Sequence, residues 1–180
     1  MMDDYQKDRE WLAVDFGEIE ARLVWAAGQL DEPGVPERLS TLAADSVRRV
    51  AVARDTVLQI IDELPSASDT IQAQLVLRAT SSLSAAEADV AAVRAAVEEE
   101  AGSDEDEDED EDDGNATGVL DTVKKALKGA KGIFTKLARR LVKMISGLVT
   151  PKEWKLGGEV SAGVPGLGLS AVTIEITFGP

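Results

Sequence analysis

The residues with the clearest chemistry to offer are cations, and that chemistry is the non-covalent binding of anions. Lys124, Lys125, Lys128, Lys131, Lys136, Arg139, Arg140 and Lys143 crowd into the stretch from Gly118 to Val149, where Asp121 is the single acid. Threaded among them, Leu120, Val123, Leu127, Ala130, Phe134, Leu137, Leu141, Met144 and Leu148 recur at steps of three and four. That is the spacing of one helical stripe. A helix with such a stripe and a cationic remainder can hold its lysines among lipid headgroups while the stripe enters the acyl boundary. The same pattern suits a helix that docks in an acidic groove, packs in a core or pairs as a coiled coil. Two features favour an anionic surface. Gly129, Gly132 and Gly147 each weaken a soluble helix by roughly 1 kcal/mol against Ala, and an all-cation face repels its own copy.

Directly upstream stand ten consecutive acids: Asp104, Glu105, Asp106, Glu107, Asp108, Glu109, Asp110, Glu111, Asp112 and Asp113. Like charges this dense repel one another and bury nothing, which predicts a disordered linker over 101–117. A flexible polyanion a few residues ahead of a polycationic helix is held at high effective concentration and can fold back on it. It would mask the lysines until something displaces or cuts it. The formal charge of −15 conceals this split. Residues 115–180 carry a net +6 and residues 1–114 a net −21.

Composition removes much of the catalytic repertoire. With neither Cys nor His, the chain has no thiolate nucleophile, no imidazole base and none of the zinc sites built from these residues. Nothing else is spaced for catalysis, so we expect no catalytic residue, no metal site, no cofactor and no enzyme. The polar, acidic start MMDDYQKDREW lacks the regions of a signal peptide, and no apolar run reaches the length of a spanning helix. The expected location is the cytoplasm, with conditional peripheral membrane association. Nucleic acid is the less suited polyanion, because no aromatics interleave with the lysines and no base-reading motif is present.

The elements that position these residues follow from periodicity. Ile19, Leu23, Val24, Ala27 and Leu30 fall at helical steps after a frayed polar tail, and Asp31-Glu32-Pro33-Gly34 ends that helix. Trp11, Val14 and Phe16 extend it or form a short strand. Pro36 starts a second helix through about Glu63, with Leu39, Leu42, Val47, Val50, Val57, Leu58 and Ile61 inward. A third region, from about Asp69 to Glu100, buries Ile71, Leu75, Leu83, Val90, Val93 and Val97, and Ser84 with Glu87 has the spacing of a capping box that would restart it. Residues 1–100 thus read as an antiparallel bundle. Residues 118–149 are the basic amphipathic helix, and residues 150–180 a β-hairpin, since Val172, Ile174, Ile176 and Phe178 alternate with polar residues beyond a Val164-Pro165-Gly166-Leu167-Gly168 turn. The fold class expected is α+β, mostly α.

The layout, together with the terminal stretch TPKEWKLGGEVSAGVPGLGLSAVTIEITFG, resembles the CATRA-associated small proteins, encoded beside caspase-like and TPR proteins in bacterial conflict systems. The resemblance implies an accessory or effector role in defence, with a caspase-like protease as partner, and it assigns no catalytic residue. Cutting within the acidic block would then separate the +6 part from its −21 restraint. The residues themselves leave two functions open: an effector that binds anionic membrane or an acidic partner, or a helical adaptor that docks or self-associates through the stripe.

Overall fold

The computed structural model describes the backbone of residues 2–103, 114–148, 153–157 and 173–177, and side chains within 5–102 and 116–147. Its helices are α1 (Met2–Gln29), α2 (Glu37–Glu63), α3 (Asp69–Ser103), α4 (Gly114–Lys128) and α5 (Ala130–Leu148). The α1–α2 turn works because Gly34 adopts φ +90°, a region in which a side chain is strained. Pro36 then precedes the first helical residue in extended conformation. Between α2 and α3 a short 3₁₀ turn, Leu64–Ser66, carries Pro65 and buries Leu64.

Cross-helix contacts fix the topology. Tyr5 donates to the carbonyl of Ile61 at 2.8 Å, Arg9 grips Asp62, and Arg54 reaches Glu20 at 2.8 Å, so α1 and α2 run antiparallel. Arg38 with Glu100 and Arg49 with Asp89 set α3 antiparallel to α2. Along α1 in the other direction, Arg22 meets Ala126, Asp15 meets Arg140, and Asp8 meets Lys143. Helices α4 and α5 therefore continue one after the other down the groove between α1 and α3, and together form the fourth wall of an up-down-up-down four-helix bundle.

One core fills the bundle. Phe16, Ile19 and Leu23 from α1, Val50, Val57 and Ile61 from α2, and Val93 and Val97 from α3 meet Val123, Leu127, Leu137 and Ile145, all at 2% exposure or less. The stripe of α4 and α5 is thus core from Leu120 to Met144, and Ile133, Ala138 and Ile145 join it. Burial at about 25 cal/mol per Å² of apolar surface is what holds this segment in the groove.

Several expectations need correction. The fold class is all-α rather than α+β: the described bundle is built of helices alone, and the β-hairpin expected over 150–180 adds no layer to it. Backbone pairing is described only for β1 (Glu153–Gly157) against β2 (Thr173–Thr177), antiparallel with Trp154 opposite Ile176. Two five-residue strands are too short to make a layer beside four helix walls, and the expected turn at Val164–Gly168 lies outside the described residues. The basic segment is two helices, interrupted at Gly129. Helix α3 is continuous through Ser84, so no capping box restarts it; Ser84 is exposed and Glu87 half-buried. Trp11, Val14 and Phe16 belong to α1. Ala101–Ser103 and Gly114–Thr117, expected in the linker, are helical, while Asp104 to Asp113 lie outside the described residues.

Candidate functional site: the cationic ridge of α4 and α5

Burying the stripe leaves the rest of the circumference outside. Lys125, Lys128, Lys131, Lys136, Arg139 and Lys143 are exposed, and Lys124 and Arg140 are half-buried. Asp121 is the single acid on either helix. Among the described residues Lys124, Lys125, Lys128, Lys136 and Arg139 form no ion pair, whereas every arginine of α1 and α2 is engaged by a carboxylate. The result is a positive ridge on an acidic body. Its field can focus on an anionic partner, since among the described residues no carboxylate pairs with those five cations.

The inner edge of the ridge is tied to α1. Arg140 Nη1 lies 3.0 Å from Asp15 Oδ2, and that carboxylate is only 9% exposed. The Arg140 guanidinium also sits over the Trp11 ring, 4.9 Å from its centroid, a cation–π distance. One turn on, Lys143 donates to Asp8 at 2.7 Å. At the interruption between α4 and α5, Arg22 donates to the Ala126 carbonyl at 3.1 Å. A Cβ added at Gly129 would come 2.8 Å from the same guanidinium nitrogen, so the glycine admits Arg22 to a carbonyl that the broken helix leaves open.

The far edge meets α3. Glu87 lies with Val90, Leu127 and Phe134 around a small cavity of about 30 Å³ that Lys131 also lines. Burial pushes the Glu87 carboxyl above its ordinary value, and the nearby Lys131 charge opposes that shift.

The structure thus separates the two sets of residues that the sequence marks on this segment. The cations lie outside and the apolar set Leu120, Val123, Leu127, Phe134, Leu137, Leu141 and Met144 lies within the core; the Leu148 side chain is outside the described residues. Sequence reasoning missed Asp8, Asp15, Arg22 and Trp11. One signal was available: Asp8 and Asp15 are seven residues apart, on one edge of a helix. No group of acids suited to hold a metal ion occurs among the described residues, and no helix there is long and apolar enough to cross a membrane. No family model matches the chain, and no curated protein or solved structure does either.

Proposed function

We propose that this protein is a non-enzymatic accessory module that docks on an anionic surface through the outer ridge of α4 and α5. The observation that carries the reading is the set of five cations, Lys124, Lys125, Lys128, Lys136 and Arg139, without ion-pair partners among the described residues. Such charges add attraction without first breaking an internal contact. Each is worth about 1 kcal/mol against an anionic leaflet, so several must act together. Because the stripe forms the core, the docking species is the folded bundle. Insertion of Leu127, Phe134 and Leu137 would require α4 and α5 to leave their groove. Cytoplasmic residence with conditional peripheral association belongs to this reading, as does masking of the ridge by Asp104 to Asp113. A place beside a caspase-like protease in a defence system rests on the resemblance of the layout and the C-terminal stretch alone.

The test is co-sedimentation, with vesicles containing phosphatidylserine at low and high salt, of the full chain and of a full-length variant in which Asp104 to Asp113 are replaced by Asn and Gln, the variant being the unmasked form. Binding that falls steeply with salt and is abolished by Lys128→Glu with Lys136→Glu is the expected result. Full binding by that double variant would sink the reading. Salt-insensitive association that depends on Leu127 and Leu137 would point to the adaptor function instead.

A further inference from the structure

Bundle helices normally turn polar residues outward, and α1 adds large apolar ones to its exposed Gln6, Lys7, Glu10 and Glu18. Trp11 is 45% exposed, Val14 57%, Val24 56% and Trp25 41%. Lys7, Trp11, Val14, Glu18, Ala21 and Trp25 follow steps of four, three, four, three and four, which is one outward ridge, with Glu18 at its middle paired to Arg22. Trp11 and Trp25 are fourteen residues apart, about 21 Å along the helix. Exposing two tryptophans at that span leaves a large apolar area in water.

The neighbouring ridge decides what covers it. Trp11 stacks with Arg140 of α5, so the aromatic ridge of α1 and the inner edge of α5 share one face. Lys136 and Lys143 lie one turn either side of Arg140 on that edge, and both are exposed. Of the acids beside the tryptophans along α1, Asp8 is engaged by Lys143, Asp15 by Arg140 and Glu18 by Arg22, while Glu10 is exposed and accepts from Gln6. Tryptophans with one apolar face, flanked by cations, match the layer between lipid headgroups and acyl chains.

We propose that the α1–α5 face lies flat on an anionic bilayer, with Trp11 and Trp25 entering the interfacial layer and Lys136, Arg139 and Lys143 contacting lipid phosphates and carboxylates. This rests on the cationic docking reading and commits it to lipid. The bundle stays closed throughout, because the tryptophans supply the apolar contact that the buried stripe of α4 and α5 cannot.

The experiment uses full-length Trp154→Phe protein with Asp104 to Asp113 replaced by Asn and Gln, so that the ridge is unmasked and Trp11 and Trp25 are the remaining tryptophans. Emission and acrylamide quenching are read with phosphatidylserine-containing vesicles, with neutral vesicles and with soluble poly-glutamate. A blue shift and loss of quenching with anionic vesicles alone is expected. Trp25→Ser should weaken vesicle binding roughly five- to tenfold while leaving helicity and mass unchanged. If vesicles bind, and Lys136→Glu with Arg139→Glu abolishes binding, but the tryptophan signals do not move, the docking reading stands and this proposal falls. If vesicles do not bind, both fall. Equal shielding by poly-glutamate overturns it in favour of an acidic protein partner. Shielding without vesicles, with doubled mass, assigns the face to a second copy of the chain.

Discussion

Arg22 and Gly129 occupy one space: the arginine guanidinium stands where a side chain at 129 would be, and from there it donates to the Ala126 carbonyl at 3.1 Å. Two effects therefore oppose each other on substitution. Gly129→Ala should gain up to about 1 kcal/mol of helix propensity, but it displaces Arg22 from a hydrogen bond worth about 1 kcal/mol. We expect the substitution to be near neutral in the parent and stabilising in an Arg22→Ala background. A double-mutant cycle by urea denaturation checks this; additive effects would mean the two residues do not compete.

Asp15 should matter far more than Asp8. Its carboxylate is nearly enclosed and faces Arg140, whereas Asp8 holds a lysine that is 69% exposed. Asp15→Ala leaves a partly buried guanidinium without its counter-charge, and we expect a loss of roughly 2–3 kcal/mol. Asp8→Ala should cost less than about 1 kcal/mol. Denaturant midpoints at one ionic strength make the comparison, and equal losses would refute it.

Leu137→Ala should lower the stability of the whole bundle by about 2–5 kcal/mol, since Leu137 is fully buried in the shared core. Unfolding of the variant should remain a single transition, monitored by circular dichroism and by Trp25 fluorescence. A separate early melting of α4 and α5 would show instead that this wall folds apart from the other three.

Two carboxylates should tilt stability with pH in opposite senses. The hydrogen bonds from Arg9 hold Asp62 below its ordinary value, outweighing its partial burial. Its stabilisation is present above the ordinary value of 3.8 and is lost as pH falls through the folded-state value. Asp62→Asn should therefore be less stable than the parent at pH 6, with the difference vanishing in acid.

Glu87 is the reverse case. Burial raises its folded-state value above the ordinary 4.5, so stability falls as pH rises through that raised value. Glu87→Gln should gain stability at pH 7 and match the parent at pH 4. Denaturation series across pH 3–8 read both variants, and a pH-independent offset in either would remove the titration argument.

Short-range features were legible from the sequence. The second helix was expected through Glu63 and is found at Glu37–Glu63, and the third was expected from Asp69, where α3 begins. These bounds follow from Pro, Gly and apolar spacing within a few residues. Long-range features were not legible. Ile71, which the spacing places on the buried side of the third helix, is 49% exposed, because α3 buries a face set by its neighbours rather than by propensity. The partner of the Ala126 carbonyl at the Gly129 interruption is Arg22, more than a hundred residues away. Asp15, which resembles a surface acid in sequence, is buried where α1 meets Arg140 of α5. The charge ridge itself was visible in full, but whether its apolar partner stripe faced lipid or core depended on the groove between α1 and α3.

The order of the walls also bears on synthesis. Helix α3 ends at Ser103 and the last described residue of α5 is Leu148. At roughly 5–20 residues per second, a ribosome takes several seconds to make the intervening chain. During that interval each nascent molecule is an open three-sided trough whose future lining faces the crowd of other chains. The ten acids emerge next, ahead of the closing wall. Polysome-bound chains halted between Ser103 and Leu148 should therefore be the species that chaperones capture.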